Sequence, residues 1–347
     1  MPNHVTNIVT FEGDRLQIQN LMEAVKADEI GVGSIDFNKL IPMPKELEIE
    51  HGSETMKGLK LYRDFVLVYS MGKELTTEEK LTIPKEREEA FLAYRKDVDR
   101  RCFELGKQAF QNVARFGAAT WYDWCIGNWG TKWNSYGYDG GIPNVQDNAI
   151  RFLTAWSAPH PILQKLSELY PDVEIQHEWA DEDIGVNCGR HTYRNGERIE
   201  EYFPEIEKDA LEFAGRVMNV DLSDYGLFLN QAETEYIRFP DEEFEMIELF
   251  GKPALFTNTR MTDADVPQGC ICFQLRMDDT NDHFATIEKT VTVNFGGTVL
   301  VANPIDLGPK GFLELDADSS PNFLGDTYTL EEIFANANHA EEEMEMM

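Results

Sequence analysis

Residues 120–134 read Thr-Trp-Tyr-Asp-Trp-Cys-Ile-Gly-Asn-Trp-Gly-Thr-Lys-Trp-Asn and hold four of the six tryptophans in the chain. Trp121 lies three residues before Trp124, so the two indoles share one face of a helix. Gly127 breaks that period, and Gly130 permits a tight turn of the backbone. Four indoles bury a large area, and each needs a partner for its N–H group. The stretch therefore predicts the end of a long helix that is fixed onto a sheet.

Two interpretations of this stretch stay open. In the first, the indoles form an aromatic corner of the core. In the second, they line a binding groove, in which the indoles stack on a planar group and polar neighbours fix its orientation. The candidate groove consists of Trp121, Asp123, Trp124, Asn128, Trp129, Thr131, Lys132 and Trp133.

The residues before the tryptophan stretch predict a first strand-helix-strand unit followed by helices. Asp14 is a good N-cap, and an apolar helical face follows it. Ile35 to Asn38 alternates as a short strand, and the prolines after it force an extended chain. The predicted elements are a strand at 5–11, a helix at 14–28, a short strand at 35–38, an irregular region at 45–75 with a possible strand at 65–69, and a strongly helical region at 78–116.

The residues after the stretch predict a second unit. Residues 149–156 alternate as a strand, Pro159 and Pro161 open a helix, and 173–179 alternate as another strand. Asn195-Gly196 is a strong two-residue hairpin turn. This order of elements fits an α+β ferredoxin-like sandwich: a strand-helix-strand, then a helical insertion, then a strand-helix-strand-strand.

Four stretches in the first 190 residues resemble the YubB ferredoxin-like family of plasmid and phage proteins. The resemblance implies the same fold, and it implies that the gene belongs to a mobile element. The family has no established chemistry to carry over. The matching stretches are Met-Pro-Asn-His-Val-Thr-Asn at 1–7, Asp-Phe-Asn-Lys-Leu-Ile-Pro-Met-Pro at 36–44, the tryptophan stretch at 121–134, and Phe-Leu-Thr-Ala-Trp-Ser-Ala-Pro at 152–159 with the residues 180–189.

The C-terminal part has a different character. Residues 200–248 contain fifteen acidic side chains against three basic ones, and later apolar runs predict a small β-rich module. That module resembles a domain attached to large polyvalent proteins of mobile elements. The predicted division is a ferredoxin-like domain at 1–217 with a helical insertion at about 76–134, an acidic linker at 218–243, a β-rich domain at 244–333 and an acidic tail at 334–347.

Charge limits the classes of partner. The chain has 63 acidic and 31 basic side chains, for a net charge of −32. Phosphate contacts need Lys and Arg, so this balance argues against direct, non-specific binding to nucleic acid and favours partners with basic surfaces. No apolar run is long enough to span a membrane, and we expect no signal peptide. Five scattered cysteines, with Cys270 and Cys272 too close for a CxxC pair, indicate a reducing cytoplasm, which the resemblance to plasmid and phage proteins implies is that of a bacterial host.

Catalytic motifs are missing from the sequence. There is no GxSxG, P-loop, HExxH or dinucleotide fingerprint. The potential ligands around His177, Asp181 and His191 do not have the spacing of a known metal cage, and His4 on a first strand is typical of a structural histidine. We therefore expect a non-enzymatic protein with no cofactor and no metal. A metal-dependent nuclease or hydrolase would need a carboxylate cluster.

The function expected from these features is an interaction protein of a mobile element. Regularly spaced carboxylates could occupy the basic DNA groove of a host restriction or CRISPR enzyme as a phosphate decoy. The candidate surface consists of Glu205, Glu207, Asp209 and Glu212. The alternative is an accessory factor in DNA transfer or replication, or a small-ligand module, that uses the tryptophan stretch.

Overall fold

A computed structural model describes residues 3–138, 148–230 and 232–238 in full, and the backbone of seven strands between 244 and 328. The chain divides into two compact units, Met1–Met218 and Asn219–Met347, and each is described by itself.

The first unit contains five strands and eight α-helices in its described residues. The strands are β1 (His4–Glu12), β2 (Ala149–Ala155), β3 (Glu174–Asp181), β4 (Gly189–Arg194) and β5 (Glu197–Tyr202). The helices are α1 (Arg15–Val25), α2 (Ser53–Ser70), α3 (Thr77–Leu81), α4 (Lys85–Tyr94), α5 (Arg100–Phe116), α6 (Trp121–Trp129), α7 (His160–Leu169) and α8 (Glu207–Met218).

The sheet of this unit is antiparallel, with the order β2-β1-β3-β4-β5. Helix α7 connects β2 to β3 while β1 lies between them, which is the split β-α-β arrangement of ferredoxin-like folds. The predicted α+β class is confirmed. Asp14 caps α1 by accepting hydrogen bonds from the backbone N–H groups of Leu16 and Gln17, as predicted.

Helices cover both faces of the sheet. The inward residues of β1, β2 and β3 form one core with α1, α6 and α7. Helix α8 covers the opposite face, where Arg216 forms a bidentate ion pair with Glu178 of β3. His177 precedes Glu178 and points to the α7 side, because successive side chains of a strand alternate.

The predicted strand at Ile35–Asn38 is wrong, because residues Phe37–Lys39 form a 3₁₀ turn. The Asp36 side chain caps that turn by accepting from the N–H of Asn38, and side chains of 134–138 bond the backbone of residues 35 and 37. Tyr136 forms the β-bridge with Leu153 of β2. Polar side chains thus satisfy backbone groups that a strand would have paired.

The region 45–75 is also helical rather than irregular. Helix α2 spans Ser53–Ser70 and includes the predicted strand at 65–69. Its buried residues recur at intervals of three and four: Thr55, Gly58, Leu59, Tyr62, Phe65 and Val66. That is a helical face. Charged residues lie between these positions, so the composition of the region did not indicate its helical period.

The helical prediction for 78–116 is confirmed, but the region is divided into α3, α4 and α5. Pro84 precedes α4, and Asp99 caps α5 by accepting from the N–H of Cys102. The tryptophan stretch is a separate helix, α6, rather than the end of a long one. Gly127 lies inside α6 and does not break it, whereas Gly130 has the left-handed conformation predicted for a turn, with φ 77°.

The hairpin prediction is confirmed. Asn195 and Gly196 both have positive φ, 50° and 79°, which is the type I′ geometry favoured between β4 and β5. Helix α8 follows this hairpin and begins with the acidic residues Glu207 and Asp209 in its first turn.

The second unit contains a two-stranded pair and a seven-stranded mixed sheet. The pair is β6 (Leu227–Leu229) with β7 (Tyr236–Arg238). The sheet has the order β14-β11-β12-β13-β10-β9-β8. Its strands are β8 (Phe244–Leu249), β9 (Lys252–Thr257), β10 (Ile271–Met277), β11 (Lys289–Phe295), β12 (Thr298–Asp306), β13 (Phe312–Asp318) and β14 (Asp326–Tyr328). The predicted side-chain arrangement of Cys270 and Cys272, and the acidic tail, lie outside the residues described in full.

Candidate functional site

The candidate groove of the tryptophan stretch is divided between core and surface. Trp124 and Trp129 are buried and pack against each other edge to face. The indole N–H of Trp129 donates to the carbonyl oxygen of Ile41 at 2.8 Å. The Asn128 amide donates to the carbonyl of Trp124, and Thr131 is buried. For these residues, the aromatic-corner interpretation describes the structure.

The remaining groove residues reach the surface. Asp123 is exposed, and Trp121, Lys132 and Trp133 are half-buried. Trp121 contacts the edge of Tyr122, which the sequence analysis did not include in the groove. The residues that form the surface part are therefore not the same set as the predicted groove.

Hydrogen bonds to the end of β2 position Lys132. The Thr131 hydroxyl donates to the carbonyl of Ala155 at 2.8 Å and accepts from its N–H at 3.2 Å. The Ser157 hydroxyl donates to the carbonyl of Gly130 at 2.6 Å. These bonds place Lys132 beside Trp156, the residue that follows β2.

Three aromatic rings surround the Lys132 ammonium. Its Nζ lies 4.5 Å from the ring centroid of Trp133, 4.5 Å from that of Trp156 and 6.0 Å from that of Tyr122. These distances are in the range of cation–π attraction. We call Tyr122, Lys132, Trp133 and Trp156 the Lys132 platform. Among the fully described residues, Lys132 has no carboxylate within ion-pair distance.

Further rings extend the platform at both ends. His51 stacks on Tyr122 with a centroid distance of 4.1 Å, and Tyr122 meets Trp156 edge to face. At the other end, Trp133 contacts Tyr136, whose hydroxyl lies 2.6 Å from His4 Nδ1. His4, considered above as a structural histidine, thus supports the aromatic surface.

Trp156 has a strained backbone and an exposed side chain. Its φ is 72°, in the left-handed region that a large side chain rarely adopts, and 40% of its surface is exposed. Its N–H donates to the carbonyl of Asn3, and its carbonyl accepts from the Asn187 amide. The buried Asp181 carboxylate accepts from the side chains of both Asn3 and Asn187. Trp156 was not among the site residues predicted from the sequence, although an aromatic residue between a strand and a proline was a usable signal.

The predicted acidic residues lie just before α8 and in its first half, and all four are exposed. Glu205, Glu207, Asp209 and Glu212 are exposed, and Glu212 lies 3.8 Å from Lys208. Strand β5, at the end of the sheet, is exposed along its whole length. We call the exposed carboxylates of β5, of α8 and of the residues between them the acidic face: Glu197, Glu200, Glu201, Glu205, Glu207, Asp209 and Glu212. Residues 197–212 contain only two basic side chains, Arg198 and Lys208.

Three histidines form a cluster between the sheet and α7. The ring of His160 lies 4.6 Å from that of His191 and 5.5 Å from that of His177, centroid to centroid. The Tyr193 hydroxyl bridges His160 Nδ1 and His191 Nδ1 at 3.2 and 3.0 Å. Trp179 contacts all three imidazoles. The fold brings these histidines together, although their spacing in the sequence did not predict a cluster.

The hydrogen bonds fix the His177 tautomer. The Asn7 amide nitrogen donates to Val5 and Thr154, so its oxygen accepts from His177 Nε2 at 3.0 Å. His177 is completely buried, and its Nδ1 has no hydrogen-bond partner among the described residues.

Burial holds this cluster neutral. Desolvation, with repulsion from His191 and Arg198, lowers the pKa of His160 to about 4. Desolvation and the nearby Arg198 guanidinium lower the pKa of His191 to about 4. Desolvation lowers the pKa of His177 well below its ordinary value, with added repulsion from the other two rings. In the fully described residues, no three His, Cys, Asp or Glu side chains are arranged to hold a metal ion.

Two further observations concern the helices and the thiols of the described residues. None of the helices in the described ranges is long and apolar enough to cross a membrane. The described cysteines Cys102, Cys125 and Cys188 are free thiols.

Comparison with known proteins gives two family matches. Residues 128–221 match the family model for a ferredoxin-like domain in Api92-like protein. Residues 240–335 match large polyvalent protein associated domain 28. The ferredoxin-like match includes Lys132, Trp133, Trp156 and the three histidines. The ferredoxin-like match agrees with the architecture of the first unit, and neither description names an activity.

Among solved structures, the chain is similar to the protein Api92 from Yersinia pseudotuberculosis. The identity is 12%, the match covers 59% of this chain and 99% of that chain, and the TM-score is 0.29. A search of curated proteins found no match.

Proposed function

We propose that this chain is a non-enzymatic interaction protein whose acidic face binds a basic surface of another protein. The observation that carries the proposal is the set of seven exposed carboxylates at 197–212, on β5, at the start of α8 and between them, against two basic side chains in the same segment. The charge of the whole chain, −32, has the same sign and attracts a basic partner over a distance. Such complementarity speeds association and selects among partners.

The more specific form of the proposal concerns mobile elements. The chain resembles the YubB family of plasmid and phage proteins, and one family model refers to large polyvalent proteins. In this form, the protein works in the bacterial cytoplasm, and its carboxylates occupy the DNA groove of a host restriction or CRISPR enzyme. A decoy for DNA must compete with DNA for the same groove, and its affinity must fall as salt rises.

The test is a charge reversal on α8. Tagged protein captures its partner from a bacterial lysate, and binding of the purified partner is then measured at about 50 and 300 mM NaCl. The variant carries Glu205→Lys, Glu207→Lys, Asp209→Lys and Glu212→Lys. We expect its affinity to fall by at least about tenfold at low salt, and double-stranded DNA to compete with the wild-type protein.

The matched control changes the net charge equally at exposed acids elsewhere. It carries Glu29→Lys, Asp64→Lys, Glu74→Lys and Glu104→Lys, all exposed and outside the acidic face. We expect this control to weaken binding much less. Equal loss in both variants, or binding indifferent to salt, contradicts an acidic binding face. Competition by DNA is the separate test of the decoy form.

A second candidate function is supported by a different observation. The Lys132 platform presents half-exposed rings and an ammonium that has no carboxylate partner among the fully described residues, which suits a small-ligand module or an accessory factor in DNA transfer. This possibility concerns another surface and is developed below.

A further inference from the structure

We propose that the Lys132 platform is a binding site for a single nucleotide, with a heteroaromatic base stacked on indole and a phosphate held by Lys132. This inference rests on the second candidate function, the small-ligand module, and concerns a surface that is separate from the acidic face.

The planar part of the ligand follows from the rings. Trp133 and Trp156 both present ring surface toward one ammonium, at 4.5 Å from each centroid, and Tyr122 lies behind them. Stacking on aromatic side chains is favourable for every base, because every base has a π-face. In the unliganded protein the Lys132 ammonium occupies the space beside the indoles. Its flexible stem lets a base take that space.

The anionic part follows from the charge of Lys132. The ammonium has cation–π contacts but no ion pair within the residues described in full. When a base displaces it from the rings, the ammonium needs new acceptors for its three N–H groups. A phosphate attached to the base supplies them at a short distance. The Lys132 side chain is tethered close by, because the backbone at Thr131 is bonded to Ala155.

The site is organised in advance. Trp156 keeps a left-handed backbone because Asn3 and Asn187 bond its peptide groups and Asp181 holds both of these side chains. Backbone strain of this kind persists where several surrounding contacts hold the residue in place, and it is concentrated at functional sites. The strained backbone keeps the large Trp156 indole at the surface, next to the ammonium. An indole in that position contributes little to the stability of the fold.

The size of the ligand follows from the charge of the chain. A net charge of −32 repels a long polyanion, and one platform lysine offsets little of that repulsion. A mononucleotide places only one charged group at the site. We therefore assign the site to a free nucleotide rather than to a nucleic-acid strand.

The experiment is a calorimetric titration of the full chain with AMP, adenosine and inorganic phosphate. We expect saturable AMP binding, with adenosine weaker by about tenfold because it lacks the phosphate, and no measurable binding of phosphate alone. In Lys132→Gln, AMP and adenosine should bind equally. In Trp156→Ala, binding of both should fall by at least about tenfold.

Two control variants match these changes on distant surfaces. Lys96→Gln removes an exposed lysine, and Tyr94→Ala removes an aromatic side chain that is 86% exposed. Both should bind AMP like the wild type. Circular dichroism and thermal unfolding verify that each variant folds. If Trp156→Ala does not fold, Lys132→Gln still decides the test, because its change is a surface charge.

Three results would overturn the assignment. The first is the absence of AMP binding to the wild-type chain at millimolar concentration. The second is an AMP preference over adenosine that survives Lys132→Gln. The third is an affinity for oligo(dA) that grows with its length while AMP fails to bind, which would make the platform a contact for single strands.

Discussion

At the scale of single residues, the protonation of the three clustered histidines depends strongly on their surroundings. His160, His177 and His191 are neutral in the folded chain because each lies in a water-poor site, and His191 also faces Arg198. The unfolded chain exposes all three to water, where the pKa of histidine is near 6.5. Folding therefore lowers the number of protons bound below that pH.

This difference predicts a loss of stability in mild acid. Because the folded-state pKa values lie below the unfolded ones, the stabilisation is complete above about pH 6.5 and is lost as pH falls toward 4. For His160 and His191, we expect the free energy of unfolding to drop by roughly 2 kcal/mol each between pH 7.5 and 5. Urea unfolding at the two pH values measures it.

Two variants separate protonation from packing. His160→Gln removes one titrating ring, so the drop between pH 7.5 and 5 should become smaller by about 2 kcal/mol. Ser167→Ala changes a buried, non-titrating side chain of the same helix and should lower stability equally at both pH values. A pH dependence that is unchanged in His160→Gln would contradict the assignment.

At the scale of elements, the closest contact in the helical segment joins α2 and α5. These helices meet at two glycines, and a Cβ added to Gly58 would lie 2.2 Å from the carbonyl oxygen of Cys102. A Cβ on Gly106 would lie 1.9 Å from the carbonyl oxygen of Gly58. Only the absence of both side chains allows the backbones to approach so closely. The contact in turn brings Tyr62 and Phe65 of α2 onto Phe103 of α5.

A methyl group at either position should separate the helices. We expect Gly58→Ala and Gly106→Ala each to lower the free energy of unfolding by about 3 kcal/mol, because backbone atoms cannot move as a flexible side chain can. The matched control is Gly127→Ala in α6, where nothing lies within 4 Å of the new Cβ. It should raise stability by up to about 1 kcal/mol through helix propensity. Thermal or urea unfolding measures all three, and neutral Gly58 and Gly106 variants would contradict the close contact.

At the scale of the whole molecule, charge is the dominant property. Acidic side chains outnumber basic ones by 63 to 31, so the folded chain carries unbalanced repulsion. Several ion pairs relieve it locally, including the buried Glu88 with Lys107 at 2.7 Å. Most of the exposed carboxylates of the acidic face have no such partner close by in the described part of the chain, and salt screens their repulsion.

The expected consequence is stabilisation by salt. Raising NaCl from about 20 to 500 mM shortens the Debye screening length to a few ångströms. We expect the urea concentration at the midpoint of the first unfolding transition to rise. The charge-reversed α8 variant, which is less acidic, should show a smaller shift. An equal concentration of a neutral osmolyte serves as the control for changes in solvent. A midpoint that falls with NaCl would contradict net repulsion as the cause.

Rules that depend only on neighbours along the chain predicted the elements whose sequence pattern agrees with their packing in the fold. Strand β1, the Asp14 cap of α1, helix α7 and the Asn195-Gly196 hairpin follow from alternation, capping and turn chemistry. The α+β class followed from their order. The same rules failed at 35–38 and 53–70. In the first case, side chains from 134–138 replace strand pairing, and in the second, a helical face is interrupted by charges.

The sequence by itself determined composition, charge and the main strands and helices, because these depend on residue type and on neighbours along the chain. Only the tertiary structure decided which tryptophans are core and which are surface, since Trp129 and Trp133 have the same type and differ in what packs on them. It also brought Lys132 beside Trp156 and assembled the three histidines from α7, β3 and β4. These contacts join residues far apart in the chain, and no local pattern encodes such distances.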